Sequence, residues 1–378
     1  MATKLRASFW RGGTSNGLLI HKKHLPRDPI AWHAVLCPAM GSPDSYGRQL
    51  NGMGGGISSL SKICVVAPSS RAGIDVDYTF IQVGIKDRSL DMAGNCGNMS
   101  SAVGPFALDE NMIPSSRIVN VLQQETGRWF ATVRMWNTNT SKVTESKFAI
   151  KSINGSIYHD ASGDYAIDGV SGTASPIALS FLSPGGSRTG KVFPTGNKVD
   201  EILLPDGTSV SASLVDVSNP GVFVRASDLG ISLPISDALV EGDAELMKKI
   251  AKIRRVGATR MGLDPNMESV PKILLLSTPR DDEDVNIRCL AFSMGQCHKA
   301  VPLTLSLNLG VACRINGTLP WQLSKRQSGT AEQISETVTI AHASGKIDVQ
   351  ADIENGEVKS AILMRTARLL MEGEVNCA

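Results

Sequence analysis

A similar arrangement of residues occurs twice in this chain, and it limits the folds that the chain can adopt. In the first half, a predicted strand leads into residues 94–98, which include two glycines, and then into a small, apolar helix. In the second half, a predicted strand leads into residues 293–296 and then into another apolar helix. Aligning the two helices places Met294 opposite Cys96, each followed by a glycine. We therefore predict a duplicated unit with the functional site between its two copies.

The remaining pattern is rich in strands and contains a few helices. Residues 75–83 alternate between apolar and polar side chains, as a half-buried strand does. Helices are predicted at residues 100–108, 241–255 and 299–313. A loop with three glycines at residues 183–191 separates two sets of such elements. The 378 residues therefore predict an α+β fold with two domains of about 180 residues each.

Charge and hydropathy argue against two kinds of partner. The chain has 38 basic and 36 acidic residues, and its densest basic cluster, at residues 248–255, follows acidic residues as on a solvated helix face. We therefore expect no nucleic-acid partner. No apolar run approaches the ~18 residues of a membrane span, so we expect no membrane association either.

The cysteines and the first residues indicate a compartment. Seven cysteines form an odd count without CxxC spacing, so we expect no disulfide framework, no zinc and a reducing environment. Lys4, Arg6 and Arg11, without an acidic residue among them, could belong to a mitochondrial presequence. However, a glycine-rich segment that we assign to the site begins at Arg11. We therefore expect a cytoplasmic protein with an intact N-terminus.

The sharpest local signal is the cysteine within residues 94–98. Cys96 precedes a glycine where a helix is predicted to begin, so unpaired backbone N–H groups should surround it. At such a position the helix dipole favours a thiolate, and the N–H groups can bind a carboxylate. Asn95 and Asn98 can donate to an anion or cap the helix. The alternative is an inert, buried cysteine beside a turn.

A second signal is a lysine that follows a glycine-rich loop. Residues 54–56 are glycines, which allow the backbone to approach a ligand closely, and Ser61 and Lys62 then lead into an apolar strand. Burial lowers the pKa of a lysine and can make it a general base. The alternative is a strand-end lysine that reaches into solvent. The spacing is not that of a phosphate loop.

Two weaker signals offer polar groups to a ligand. After the first strand, residues 11–17 combine glycines with Thr14, Ser15 and Asn16, although a plain hairpin turn has the same composition. His298, just past Met294, could bind a carboxylate or serve as a second acid or base; a satisfied, buried histidine is the alternative.

Together these signals provide a thiol, an amine and several turns that can bind anions. The sequence contains no dinucleotide fingerprint, no nucleophilic serine elbow and no His, Cys, Asp and Glu grouping with metal-ligand spacing. Proton transfer without a cofactor or a metal is the reaction that such a set can serve.

The ordered motifs of this chain resemble those of the PrpF-like isomerases, a family of 2-methylaconitate, aconitate, 3-methylitaconate and 4-oxalomesaconate isomerases. The resemblance spans nearly the whole chain, and no single motif would suffice for it. The segments that carry it are residues 11–15, 54–56 with 61–62, 77–83, 94–98 with 103–107, 193–197, 219–220 and 293–300.

This resemblance implies a diaminopimelate-epimerase-like fold. Two similar α+β domains would each wrap a curved sheet around a central helix, with the active site in the cleft between them. We place the domains at residues 1–185, completed by a C-terminal strand at 362–376, and at residues 186–361. Asn16 stands where bacterial relatives are expected to have lysine, which would alter how a distal carboxylate is held.

The resemblance also implies the roles of the site residues. Lys62 and Cys96 would be catalytic, with Lys62 as the base in an allylic proton shift. Epimerases of this fold use two catalytic cysteines, one from each half. In this chain Met294 stands where the cysteine of the second half is expected, and Cys297 is three residues away. The residues expected to bind the substrate are Thr14, Ser15, Asn16, Gly55, Ser61, Asn95, Gly97, Asn98, Met294, Gly295 and His298.

The expected substrate is a small unsaturated di- or tricarboxylate such as aconitate or methylaconitate. Two alternatives stay open, namely an amino-acid epimerase or racemase of the same fold and a non-catalytic partner of an aconitase-like dehydratase. A homodimer is one possible assembly. The candidate acids differ by a methyl, keto or carboxylate group.

Overall fold

The computed structural model describes residues 3–114, 123–125, 128–298, 300–325 and 336–377. Most of the regular structure is extended. The strands are β1 (Thr3–Gly12), β2 (Ser15–His21), β3 (Lys62–Pro68), β4 (Val76–Val83), β5 (Leu90–Asp91), β6 (Gln123–Glu125), β7 (Arg128–Asn137), β8 (Lys142–Ile153), β9 (Ser156–His159), β10 (Ile177–Leu182), β11 (Asp200–Leu203), β12 (Ser209–Val217), β13 (Asn219–Arg225), β14 (Lys272–Ser277), β15 (Ile287–Ser293), β16 (Gln296–His298), β17 (Thr337–His342), β18 (Gly345–Glu354), β19 (Glu357–Arg365) and β20 (Ala367–Cys377).

The described residues also form a smaller number of helices. The α-helices are α1 (His33–Met40), α2 (Gly97–Asp109), α3 (Asp237–Gly242), α4 (Ala244–Arg260), α5 (Leu303–Cys313) and α6 (Leu319–Leu323). Short 3-10 turns occupy Lys22–His24, Pro29–Trp32, Ser58–Leu60 and Ala226–Leu229. The predicted α+β class is therefore confirmed. None of the helices in the described parts of the chain is long and apolar enough to cross a membrane.

The chain divides into two compact units. Unit 1 comprises Met1–Ser180 and Met364–Ala378, and unit 2 comprises Phe181–Leu363. In unit 1, β1 pairs antiparallel with β2 and β20, β2 parallel with β3, β3 antiparallel with β4, and β4 parallel with β7. The sheet continues antiparallel through β8 and β9.

Each face of the unit 1 sheet covers one helix. Alternate residues of β3, including Ile63 and Val65, pack with Leu36 and Met40 of α1 in one apolar cluster. On the other side, α2 is buried along almost its whole length and contacts β1, β2, β3, β4, β7, β8, β9 and β20. A helix that touches so many strands requires a sheet that curves around it.

Unit 2 repeats this order of pairings. In it, β12 pairs antiparallel with β13, β13 parallel with β14, β14 antiparallel with β15, and β15 parallel with β17, which continues antiparallel to β18. The buried helix α5 contacts β12, β13, β17 and β18. The parallel pairing aligns Gly17 with Lys62 in unit 1 and Gly221 with Lys272 in unit 2.

The expected register between the two halves was wrong, although the halves are alike in topology. We expected Met294 and Gly295 at the start of a helix, but both have positive φ, 54° and 69°, and form a two-residue turn between β15 and β16. Helix α5 begins later, after Pro302 as its N-cap. Pro302 rather than Met294 is therefore the topological counterpart of Cys96. Lys299, the predicted first residue of this helix, lies outside the described residues.

A second predicted helix, at residues 241–255, is in fact two helices. The helical conformation is interrupted between α3 and α4 at Asp243, whose φ of −91° and ψ of 92° are extended. The Asp243 carboxylate accepts a hydrogen bond from Leu246 N at 3.0 Å and so caps α4. The pattern of charged residues predicts one continuous helix. It does not show that Asp243 ends the first helix and caps the second.

Candidate active site

Lys62 lies at the first position of β3, on the face that contacts α2. Its side chain is 7% exposed. Nζ donates a hydrogen bond to Gln82 Oε1 at 2.8 Å and lies 5.3 Å from the centroid of the Phe80 ring. Because the Gln82 side chain is a neutral amide, this hydrogen bond to the buried amine is not an ion pair.

Gln82 fixes the position of the Lys62 amine, and sequence reasoning gave it no role. It pairs directly with Lys62 across β3 and β4. Its Nε2 donates to Ser58 O at 3.1 Å and to Ser61 O at 2.8 Å, so the amide oxygen must point toward Lys62. The cross-strand register that brings these two residues together is not readable from local sequence.

Gln49 organises the glycine-rich loop before Lys62. This fully buried side chain donates to Ser42 Oγ at 2.9 Å and to Ser61 Oγ at 2.8 Å, and accepts from Gly56 N at 3.0 Å. Ser61 Oγ in turn donates to the carbonyl of Val83 at 3.1 Å. Ser61, expected to bind the substrate, therefore supports the loop in this structure, whereas Gly55 is exposed on it.

Cys96 is the N-cap residue of α2. Its side chain makes no capping hydrogen bond and is partly exposed. The first hydrogen bond of the helix runs from Ser100 N to Cys96 O at 3.0 Å, so the N–H groups of Gly97, Asn98 and Met99 precede it. These groups point out of the helix start, where the helix dipole is positive and anions are bound best.

A buried polar cluster supports the residues before α2. Asn95 Nδ2 donates to the Tyr78 hydroxyl at 3.3 Å, and that hydroxyl is 3.0 Å from Ser100 Oγ. Burial raises the pKa of Tyr78, so it stays a neutral phenol. Burial likewise raises the pKa of Cys64, and the nearby Cys96 adds to this shift, so Cys64 is a neutral thiol beside the candidate site.

The turn between β1 and β2 contacts the start of α2 directly. Asn98 Nδ2 donates to Thr14 Oγ1 at 3.0 Å, and Asn98 Oδ1 accepts from Arg365 Nε at 3.2 Å. Gly13 has a φ of +52°, and a Cβ there would lie 2.2 Å from Asn98 Oδ1. A Cβ on Gly12 would lie 2.5 Å from Asn98 O. Only glycine allows this close approach.

The same hairpin also borders Lys62. Gly17 pairs with Lys62, and a Cβ on Gly17 would lie 2.4 Å from Lys62 O. Ser15 is buried opposite Gly12, and Asn16 is half-buried on the same strand. Unit 1 therefore brings the glycine-rich turn, the lysine and the helix start together.

Comparison with known proteins places this arrangement in a family. A family profile described as "PrpF protein" matches residues 2–378. The chain belongs to the PrpF family. It is 35% identical to a 2-methyl-aconitate isomerase of Shewanella oneidensis, over 98% of this chain and 96% of the relative. It is also 33% identical to a 3-methylitaconate isomerase of Eubacterium barkeri (97% and 95%) and 35% identical to a (4E)-oxalomesaconate Delta-isomerase of a Novosphingobium species (97% and 96%).

Solved structures agree with this assignment. A crystal structure of a methylitaconate Δ-isomerase has a TM-score of 0.74 to this PrpF-family chain, with 32% identity over 99% of this chain and 95% of the other. A hydroxyproline epimerase from Agrobacterium vitis has a TM-score of 0.57 over 100% and 94%, but its 11% identity shows the fold alone. The predicted family, the epimerase-like fold and the isomerase class are confirmed.

The remaining expected site residues lie in unit 2. Met294 and Gly295 form the hairpin turn after β15, and His298 is partly buried at the end of β16. At the start of α5, Asn219 Nδ2 donates to Thr304 Oγ1 at 3.0 Å. Within the described ranges, no group of three or more His, Cys, Asp or Glu side chains could hold a metal ion.

Proposed function

We propose that this PrpF-family protein catalyses an allylic proton shift in a small unsaturated di- or tricarboxylate such as aconitate or methylaconitate. One observation supports this most directly, namely the buried Lys62 amine in the same unit as the open N-terminus of α2. Named relatives that act on methylaconitate, methylitaconate and oxalomesaconate support the same class of substrate.

The proposed mechanism begins with Lys62 as the general base. Its amine removes a proton from the carbon next to a carboxylate, or from the vinylogous position, and the electrons spread into a dienolate. Gln82 Oε1, 2.8 Å from Nζ, orients the amine. Such acid–base assistance contributes on the order of 10²–10⁴-fold to a rate.

The start of α2 stabilises the negative charge that develops. The N–H groups of Gly97, Asn98 and Met99 can donate to the carboxylate that becomes the dienolate, where they are already oriented before reaction. The proton then returns to the other end of the allyl system from Lys62 or from Cys96. The double bond moves, the overall charge is unchanged, and no metal or organic cofactor takes part.

An amino-acid epimerase would need acid groups on both faces of its substrate. In unit 2 the N-cap of the central helix is Pro302, which offers no thiol. This difference favours the isomerase over the epimerase. A role as a non-catalytic partner of a dehydratase would give no reason for a buried lysine in the same unit as an uncapped helix start.

The test is an ultraviolet assay of the chelator-treated, desalted protein against aconitate, methylaconitate, methylitaconate and oxalomesaconate. We expect isomerisation of at least one acid, with no need for an added metal. Loss of optical rotation on proline or diaminopimelate, without isomerisation of any acid, would replace the proposal with an epimerase. Activity that disappears with chelator and returns with a divalent cation would contradict the mechanism.

Turnover in heavy water tests the number of bases. If Lys62 alone shuttles the proton on one face, part of the product should form without deuterium. Complete deuterium incorporation at the new C–H position would leave rapid exchange or a second group, Cys96, as the explanation.

A further inference from the structure

Arg365 is a buried arginine at the end of β19 that sequence reasoning did not assign to the site. Its side chain is 7% exposed. Burial lowers the pKa of Arg365 to about 10, so the guanidinium still carries its charge at neutral pH. A buried charge is costly unless a counter-ion and hydrogen bonds compensate it.

The contacts of Arg365 do not provide such a counter-ion. Nε donates to Asn98 Oδ1 at 3.2 Å and Nη1 donates to Met364 O at 3.0 Å, and both acceptors are neutral. Tyr165 is its ionisable neighbour, and a phenol is uncharged near pH 7. Across the described part of the chain, no carboxylate lies within ion-pair distance of Arg365.

Arg365 contacts the helix turn that begins at Cys96. Asn98, its partner, is the second residue of α2 and also holds Thr14 of the β1–β2 turn. A Cβ on Gly13 would lie 3.2 Å from Arg365 Cδ, so the turn packs against the arginine as well. The guanidinium has five N–H donors, of which two have acceptors here. A planar anion at this turn would receive donors from both the guanidinium and the helix start.

We propose that Arg365 binds a carboxylate of the substrate at the start of α2 and is a substrate-binding residue of the isomerase. This inference rests on the proposed function and adds to it the residue that neutralises one carboxylate of the polyanion. Because that carboxylate is present before and during the reaction, Arg365 should act mainly on binding. Its removal should raise KM more than it lowers kcat.

The test measures binding separately from turnover. Isothermal titration uses propane-1,2,3-tricarboxylate, a saturated acid that has no double bond to shift, and the KM of the best unsaturated substrate is measured in parallel. Arg365→Gln should weaken binding by about 10- to 150-fold, the usual range for hydrogen bonds to charged groups. Arg365→Lys should lose about tenfold, since an ammonium cannot form two parallel bonds to a carboxylate.

The matched control is Arg314→Gln in unit 2. Arg314 is partly buried, less so than Arg365, and likewise donates to a backbone carbonyl, that of Ala351, but it lies at the C-terminal end of α5. Binding and KM should not change in this variant. Circular dichroism and the melting temperature report whether each variant is folded.

The outcomes separate this inference from the proposed function. If the wild-type protein isomerises an acid but folded Arg365→Gln keeps its KM and affinity, Arg365 is structural and only this inference fails. If Arg365→Gln does not fold, unchanged affinity in Arg365→Lys has the same meaning. A wild-type protein that neither isomerises nor binds any polycarboxylate would instead remove the proposed function, and this inference with it.

Discussion

The two units share a scaffold but differ in the chemistry at their central helices. In each, a glycine on one strand pairs with the lysine that begins the next, Gly17 with Lys62 and Gly221 with Lys272. In each, a β-hairpin contacts the helix start through a side-chain hydrogen bond. Asn98 of α2 donates it to Thr14 in unit 1, and Asn219 of β13 donates it to Thr304 of α5 in unit 2. The scaffold alone therefore does not decide where chemistry can occur.

The differences lie in the groups that this scaffold presents. Lys62 is buried against Gln82, whereas Lys272 is half-buried and donates to Ser269 O at 2.7 Å. The helix of unit 1 begins after Cys96, and that of unit 2 after Pro302, with fully buried leucines in its first turn. The duplicated fold therefore repeats its hydrogen-bonded framework, whereas both proposed reactive groups, Lys62 and Cys96, lie in unit 1. This difference supports the proposed proton transfer on one face of the substrate.

The two lysines provide the sharpest test of this difference. Lys62→Ala should lower kcat by about 10²–10⁴-fold, because the general base is lost. Lys272→Ala should change kcat by less than about threefold, since its amine contacts a backbone carbonyl. Steady-state rates on the preferred acid give both numbers. If Lys62→Ala retains more than about a tenth of the rate, or if both variants lose the same amount, Lys62 is not the base that distinguishes unit 1 from unit 2.

The two partly exposed cysteines come next. Cys96→Ser should lower kcat by about 10- to 100-fold if the thiol returns the proton, since a hydroxyl is a much weaker acid. Cys297→Ser should leave kcat unchanged. Iodoacetamide should inactivate the wild-type protein more slowly when substrate is present. A small loss in Cys96→Ser confined to KM would leave Lys62 as the sole shuttle, and a large loss in Cys297→Ser would restore a two-thiol epimerase.

Alanine variants of two turn glycines distinguish the cost of a steric clash from the cost of a left-handed backbone. Gly13 and Gly295 both have positive φ, but only the Cβ of an alanine at Gly13 would meet other atoms. Gly295→Ala should cost about 1 kcal/mol for the left-handed backbone alone. Gly13→Ala should cost about 2 kcal/mol or more and raise KM, because it displaces Asn98. Equal melting temperatures of the two variants would show that the β1–β2 turn accommodates the extra Cβ at residue 13 without moving the start of α2.

The sequence predicts the local elements well but not the contacts that join them. The strand predicted from alternation at residues 75–83 is present as β4 (Val76–Val83), and Lys62 is buried as its position before an apolar strand indicates. Helix α2 begins at Gly97, directly after Cys96, as the glycine-flanked cysteine predicts, although the apolar pattern alone places the helix only at residues 100–108. These are properties of short segments.

The misses depend on long-range pairing. Gln82 reaches Lys62 across a sheet, Gln49 binds Ser61 from 12 positions earlier in the chain, and Arg365 reaches Asn98 from 267 positions away. The similarity between the two halves gave a wrong prediction in the second half. Met294 and Gly295 resemble a helix start in composition, but they have positive φ and close a hairpin. The parallel pairing of Gly221 with Lys272 reveals the true register, and only the fold shows it.

The C-terminal ends of the two helices differ as well, and this difference should change stability rather than activity. Helix α2 ends at Asp109, whose carboxylate accepts a hydrogen bond from His159 N at 2.8 Å, whereas α5 ends at the neutral Cys313. Burial, followed by the nearby Glu372 and Glu110, raises the pKa of Asp109 to about 6. A negative charge at a helix C-terminus is also opposed by the helix dipole.

Asp109→Asn should therefore stabilise the protein at neutral and alkaline pH. An unfolded aspartate ionises near pH 4, so the folded state binds the proton more tightly, and wild-type stability falls as pH rises from about 4 through about 6. The gain of the variant should be absent near pH 4 and reach about 1–3 kcal/mol above pH 7. Burial lowers the pKa of His159 to about 4, which acts in the opposite direction but is common to both proteins and largely cancels. Melting temperatures of the pair from pH 4 to pH 8 measure the gap, and a gap that is constant with pH would mean that Asp109 titrates normally in the fold.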